Sequence, residues 1–258
     1  MVEYSYSKLM TYDQCALKYK YKYIDKIKMQ VDSTIEALLG SCVHDALEYL
    51  YNERIKGRIL KLDELLEYYL KIWQENFSDK HLIVKEGVTE NEYLNKGVIF
   101  LTRYYSKHAP FDDNTLETEK KVTLPLDDKS HLIGFVDRLV FNERDDKYEI
   151  HDYKTGRLKS QEQSDMDWQL ALYAMAIKEE MKDGKDIILV WHYLDHDIKI
   201  VSSRTENELV RLKKDVLELI REIESARFFP HNKSTLCNWC EFKPICHAWT
   251  KQKNLNEF

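Results

Sequence analysis

The stretch Glu149–Gly156, EIHDYKTG, decides how this chain folds and where its chemistry lies. It reads as the end of an apolar strand closed by an acid, one intervening residue and a lysine, with a Thr-Gly turn directly after. Successive side chains of a strand point to opposite faces, so Ile150, Asp152 and Lys154 share one face while His151 and Tyr153 take the other. A face that starts apolar thus ends ionic. Taken alone, an acid-x-lysine is most often a surface ion pair on an edge strand. The same pair suits a divalent ion and an anionic substrate if further ligands converge on it.

Such ligands are found by working outward. The preceding segment HLIGFVDRLVF, His131–Phe141, is an apolar strand interrupted by Asp137 and Arg138, and the polar NERDDK that follows makes a hairpin turn into KYEIHDYK. That hairpin brings Asp137 near Asp152. An acid inside an apolar run is costly to bury unless it is paired or coordinates a metal. Upstream, Leu116–Leu126 alternates as a strand. Thr34 to Tyr51 has helical periodicity, with Leu39, Val43, Ala46, Leu47 and Leu50 in one stripe, Gly40 permitting close packing, and His44 beside the stripe one turn before Glu48. A lone histidine there is ordinarily a satisfied boundary residue. Downstream, Ser164 to Met181 reads as an amphipathic helix with Trp168, Leu172 and Met175 on its buried side. Gln169 and Tyr173, four apart, share a helix face and can point at one site.

Further helices are expected at Leu62–Phe77 and Glu90–Lys107, and a hairpin through Asp195 to Asp197. A capping box at Thr205 and Glu208 opens a last long helix carrying Leu209, Leu212, Val216, Leu219 and Ile223. Near the amino terminus, Ser5 or Ser7 caps a short helix that ends near Cys15. The run Lys18, Tyr19, Lys20, Tyr21, Lys22, Tyr23 interleaves cations and rings, a pairing suited to phosphates and bases but equally to lysine stems covering tyrosines. In the tail, Cys237, Cys240 and Cys246 form C-x2-C-x5-C, a spacing that lets three thiolates converge on one centre. Cys15, Cys42, His231 and His247 are candidates for a fourth ligand, and zinc or an iron–sulfur cluster fits the spacing.

Composition sets the outer limits. At 258 residues, 43% hydrophobic and 33% charged, the chain is a folded protein able to bury a sizeable core. Only 7 Gly and 4 Pro favour long helices over a loop-rich all-β design. The net charge of -6 argues against nonspecific coating of nucleic acid without excluding local basic patches. No apolar run is of signal-peptide or membrane-spanning character, and the five cysteines suit a reducing compartment, so a cytoplasmic location away from membranes is expected. No G-x4-G-K-[ST] loop is present, so the chain carries no ATP-driven motor of that type.

Joined in order, Cys15, Gly40–His44, Gly134–Arg138, Asp152–Gly156, Gln169–Tyr173 and the three terminal cysteines resemble the RecB-like branch of the PD-(D/E)XK nuclease superfamily. The likeness is to its iron–sulfur members, among them the AddB nuclease domain and the CRISPR-associated exonucleases. The resemblance spans Ser5 to Cys246. Val136 stands where the superfamily's name has proline, and Ala16 and His247 follow cysteines that relatives often follow with proline.

The resemblance implies an α/β (α+β) fold with a restriction-endonuclease-like mixed sheet, in one domain over 1–258: a mainly helical part at 1–110, a nuclease core at 111–205, and a helix with a cluster-binding tail at 206–258. It implies Mg2+ or Mn2+ held by His44, Asp137, Asp152 and the backbone carbonyl of Tyr153, with Lys154 orienting water and Gln169 and Tyr173 supporting the lysine and the strand. Cys15, Cys237, Cys240 and Cys246 would hold a 4Fe-4S cluster, with Zn2+ as the alternative, leaving Cys42 as a core residue. Lys18, Tyr19, Lys20, Arg138 and Tyr173 are expected to contact nucleic acid, and Tyr49 to help cover the site. The expected activity is exonuclease action on single-stranded DNA ends, alone or with repair or CRISPR-adaptation proteins; the alternative is a catalytically silent DNA-binding or scaffold subunit.

Overall fold

The computed structural model of the protein describes residues 1–31 and 33–253. Strand β1 (Val2–Ser5) and helices α1 (Tyr6–Gln14) and α2 (Ala16–Tyr19) open the chain, and α2 runs into a π-helical turn at Lys20–Ile24. Helices α3 (Ile35–Ile55), α4 (Leu62–Asn76) and α5 (Glu90–His108) form the helical half. The sheet-forming half has β2 (Thr115–Pro125), β3 (Ser130–Asn142), β4 (Lys147–Lys154), α6 (Gln161–Asp165), α7 (Trp168–Met181), β5 (Ile187–Tyr193) and β6 (Ile198–Ser203). The long α8 (Glu206–Ser225), two short 3-10 turns and α9 (His247–Lys253) complete the described chain.

Local chemistry sets the helix starts. Ser5 accepts the Lys8 amide at 3.2 Å at the head of α1, and Thr34 accepts that of Ala37 at 3.3 Å at the head of α3. Thr205 and Glu208 make the reciprocal capping box that their spacing predicts. Two expectations need correction. The helix expected over Ser164–Met181 is two helices, because Asp167 turns out of helical geometry and accepts the Gln169 amide at 2.8 Å, capping α7 afresh. In α8 the buried stripe is Leu209, Leu212, Val216, Ile220 and Ile223; Ile220, not Leu219, keeps the 3.6-residue period.

The six strands form one mixed sheet, a mixed α/β arrangement of the expected restriction-endonuclease-like kind. Long β3 is its axis. On one edge it pairs antiparallel with β2; on the other it pairs parallel with β1 at Ser130–Ile133 and antiparallel with β4 from Arg138 to Asn142. Strands β4 and β5 are parallel, joined by the crossover through α6 and α7, and β6 closes the sheet antiparallel to β5. One core contains Leu132, Val136 and Ile150 of the sheet with α7 and α8. A second gathers α3, α4 and α5, with Cys42, around Tyr153 and Leu194. Since β1 and β4 share one edge of β3, Gly134–Asp137 lie in the gap between them. The candidate site forms at that gap.

Candidate active site

Strand β4 leaves β3 after the Arg138–His151 pair, and its next main-chain donor finds a side chain instead: Tyr153 N–H donates to Asp137 Oδ2 at 2.8 Å. His44, reaching down from α3, completes the junction, with Nε2 2.6 Å from the Tyr153 carbonyl oxygen and Nδ1 3.3 Å from Asp137 Oδ2. Burial disfavours the imidazolium, but Asp137 beside it, with Asp152 and the Tyr153 carbonyl, outweighs that and raises the His44 pKa to about 9. A cation is therefore favoured where His44, Asp137 and the Tyr153 carbonyl meet.

Asp152 is 2% exposed. Burial raises its pKa, Lys154 opposes that, and the neighbouring charge of Asp137 adds to it. Lys154 Nζ donates to Asp152 Oδ1 at 2.8 Å. It also lies 2.7 Å from Oδ2, yet its direction suits only Oδ1, so Oδ2 is buried without a directed hydrogen bond. Asp152 and Asp137 hold Lys154 protonated against the cost of its burial. On the other side Lys154 donates to Gln169 Oε1 at 2.9 Å, and Gln169 is fixed by its own amide on Asp167. Tyr173, 6% exposed, lays its ring over Gly134: a Cβ there would stand 2.1 Å from Tyr173 Cε1, so only glycine permits the contact.

Glu119 joins this group, and the sequence reading missed it. Donor atoms of His44, Glu119 and Asp137 lie within 4.8 Å of one another. Burial and the charge of Asp137 lift the Glu119 carboxyl to about 7, with His44 offsetting and Glu48 and Asp45 adding. Thr118 pairs with Arg138 and Lys120 with Val136, so Glu119 stands opposite Asp137 across β2 and β3. The signal was present: counting back from the turn at Asp127–Lys129 places those two residues opposite each other. Tyr6, at the head of α1, also faces this region, its phenol held protonated by burial and the charge of Asp167, with Lys154 opposing and Asp152 adding.

These donors fit a hard divalent cation. Carboxylate oxygens, one imidazole and a backbone carbonyl are the ligand types such ions take, and Asp152 Oδ2 is a buried acceptor free to add to them.

The other face of β4 is structural. Arg138, 1% exposed, ion-pairs with Asp113, donates to Tyr153 Oη at 2.9 Å and to His151 Nδ1 at 2.8 Å, and stacks 4.0 Å from the Tyr51 ring centre. Its expected role on nucleic acid is thus corrected: the guanidinium is sealed inside, locking β4 to the helical half. Tyr19 is likewise buried, edge-on to Tyr12 at 5.4 Å. Lys18 pairs with Glu241 at 3.0 Å and Lys20 with Asp25. The Lys-Tyr run is a helix end whose rings pack, whose Lys18 and Lys20 are ion-paired and whose exposed Lys22 lies over the Tyr23 ring; alternation alone did not distinguish that from a strand-binding surface. Tyr49 stacks on Tyr68 with ring centres 4.2 Å apart.

Cys15, Cys237, Cys240 and Cys246 line one pocket with Leu17, Tyr21 and Phe242, bringing the two chain ends together, while Cys42 is buried among the helices. His231 also lines this pocket and lies 3.2 Å from His247. Among the described residues, no three of the four sulfurs come within 4.8 Å of one another. Trp239, between two of these cysteines, donates to Glu36 at 3.2 Å and so ties the tail to α3.

A splayed strand pair with an acid on β3, an acid and lysine ending β4, and a helical histidine above them gathers the donor types of a divalent-cation site at one end of the sheet. The family profile described as the PD-(D/E)XK nuclease superfamily matches residues 3–247, and the chain belongs to that superfamily. Among solved structures, a proposed exonuclease from Eubacterium rectale is similar in fold, with a TM-score of 0.51 and 11% identity over 96% of this chain and 86% of that one. The crystal structure of SSO0001 aligns over 95% of this chain and 86% of its own, at 16% identity and a TM-score of 0.41. A comparison with curated proteins gives no match. Among the described residues no helix is long and apolar enough to cross a membrane.

Proposed function

We propose that this protein is a Mg2+- or Mn2+-dependent deoxyribonuclease that hydrolyses phosphodiester bonds at single-stranded DNA ends, in the end processing that repair, recombination or CRISPR adaptation requires. The observation that carries this reading is the meeting of His44, Asp137, Asp152 and Lys154 where β4 departs from β3. His44, Asp137, Asp152 and the Tyr153 carbonyl would hold the ion, with Glu119 as a further carboxylate. When bound, such an ion supplies charge neutralisation at phosphate and acidifies water. Lys154, protonated and fixed between Asp152 and Gln169, donates a hydrogen bond to water or to a non-bridging phosphate oxygen. Tyr173 and Tyr6 border the approach to Lys154.

The cysteine pocket supports a second part of this reading, a 4Fe-4S cluster held by Cys15, Cys237, Cys240 and Cys246. The observation that supports this part is the convergence of these four cysteines, from both ends of the chain, on one pocket. The cluster would act as a structural clasp.

The test is incubation of end-labelled single-stranded DNA with Mn2+ or Mg2+, using 5′ and 3′ labels and a circular control. Length-resolved loss from one end of linear strands, abolished in Asp152→Ala and Lys154→Ala, is expected. Cleavage unchanged in those variants overturns the site assignment, and cutting of circles overturns the exonuclease reading.

A further inference from the structure

A second concave pocket lies behind the catalytic strand, between α5 and the β5–β6 hairpin, about 660 Å³ with its mouth included. Arg103 and Lys107 on α5, His108 at its end, His192 on β5 and Lys199 on β6 line it. Its single acid, Asp197, is already engaged by Lys107, whose Nζ lies 2.9 Å from Oδ1 and 3.0 Å from the Asp197 carbonyl oxygen. Arg103 and Lys199 have no ion pair or hydrogen-bonding partner among the described residues. Two uncompensated cations therefore face one cavity in a chain whose net charge is -6.

The floor is built of stacked histidines. His108 stacks on Tyr104 at 4.2 Å and meets His192 edge-on at 5.4 Å; His192 in turn stacks on His151 at 5.1 Å, with Arg138 beneath. Burial, then Arg138, with Lys107 and Lys199 adding and Asp113 opposing, hold His108 neutral, its pKa lowered to about 4. Burial is the main cause of that shift, so what calls for an anion is the pair of unpartnered cations, Arg103 and Lys199, lining one cavity.

We propose that this pocket binds a phosphate monoester, through Arg103 and Lys199, with Lys107 and the His108 imidazole at its side. A concave site with converging cations suits a compact doubly charged group, because a guanidinium fork and an ammonium can share its oxygens. A continuous strand needs an open track. The Tyr104 hydroxyl, 3.2 Å from that of Tyr153, connects the pocket wall to the strand carrying Asp152 and Lys154. The inference is independent of the nuclease reading, since it concerns binding at a separate cavity.

The experiment follows the His108 ring resonance by NMR in the full chain carrying Asp152→Asn, without divalent ions and at constant ionic strength. Inorganic phosphate, a deoxynucleoside 5′-monophosphate, and oligonucleotides with 5′-phosphate or 5′-hydroxyl ends are titrated in turn. Saturable shifts with the monoesters are expected, weakened about tenfold or more by Arg103→Glu or Lys199→Glu, as loss of a charge-assisted bond implies. Lys71→Glu, exposed on α4 and outside the pocket lining, should leave them unchanged. Tightest binding by inorganic phosphate, by the mononucleotide or by the 5′-phosphorylated strand identifies the source of the group, and each supports the proposal. Absence of a saturable shift, shifts unaltered in both pocket variants, or equal binding of both oligonucleotides without binding of either small phosphate overturns it.

Discussion

Tyr153 N–H donates to the Asp137 carboxylate at 2.8 Å, at the point where the β3–β4 ladder has ended one pair earlier at Arg138 and His151. A side chain thus takes over a ladder bond, and the main chain of β4 is freed to turn its Tyr153 carbonyl toward His44. The two acids and the carbonyl are held in one place by a hydrogen bond that neither strand provides alone.

Asp152→Asn should preserve the fold, because an amide oxygen can still accept from Lys154, while removing the charge a divalent ion needs. In the native chain, Mn2+ at about one hundred times its Kd should add about 2.7 kcal/mol of stability. Thermal melts with and without Mn2+ should show that gain in the native chain and little of it in the variant, with cleavage falling by about 100-fold or more, as for loss of a transition-state electrostatic contact.

Gly134→Ala places a methyl group against the Tyr173 ring, which has little room to move because Tyr173 is buried. Overpacking of this kind costs about 1–3 kcal/mol. Urea unfolding should show that loss, and Tyr173→Leu should restore part of it in the double variant. Additive effects of the two substitutions would show that the contact is unimportant.

Asp167→Ala removes the cap of α7 and the partner of Lys159 together. Cap loss alone costs about 1 kcal/mol. Because Gln169 then loses its anchor, kcat should fall more than KM rises, whereas Asp167→Asn should keep the cap and most of the rate.

Three buried histidines should lose their contribution to stability as pH is lowered, while Glu119 and Asp152, whose folded carboxyl pKa values are raised, work in the opposite direction. Burial and then Arg138 depress the pKa of His108, to about 4, and that of His151; burial, His151 and Arg138 depress that of His192. Unfolded histidines titrate near their ordinary value, so between about 6.5 and 4 these three positions bind more protons in the unfolded chain than in the folded one. The contribution is fully present above about 6.5 and is lost as pH drops through the folded values. The urea midpoint of the native chain should fall relative to that of His108→Gln as pH is lowered through that window; an unchanged difference between the two would show that His108 carries no such contribution.

Cys240→Ser should bleach the brown absorption near roughly 400 nm expected of thiolate-bound iron in anaerobically purified protein, and lower both Tm and solubility. A colourless native protein containing zinc, or a variant with unaltered Tm, would falsify the clasp reading.

What could be read from the sequence was what short-range physics controls. The strand period put Asp152 and Lys154 on one face and His151 and Tyr153 on the other, and the ion pair and the buried Arg138–His151–Tyr153 contacts follow that division. Capping chemistry at Ser5 or Ser7, of which Ser5 is the cap, and at Thr205 marked two helix starts, helical period marked a third from Thr34, and the polar NERDDK segment marked the β3–β4 hairpin. Where two local signals competed, at Asp167, the cap outweighed the hydrophobic period.

Tertiary structure alone decided the rest. Whether the charges of Lys18, Lys20 and Arg138 are free depends on Glu241, Asp25 and Asp113, and whether the Tyr19 ring is exposed depends on Tyr12. Glu119 enters the site through strand register, and His44 through the docking of a helix 109 residues away in sequence from the carbonyl it meets. Periodicity fixes which way a side chain faces because that is a property of the local backbone. Which distant group neutralises it is set by packing between elements, which no single stretch of sequence encodes.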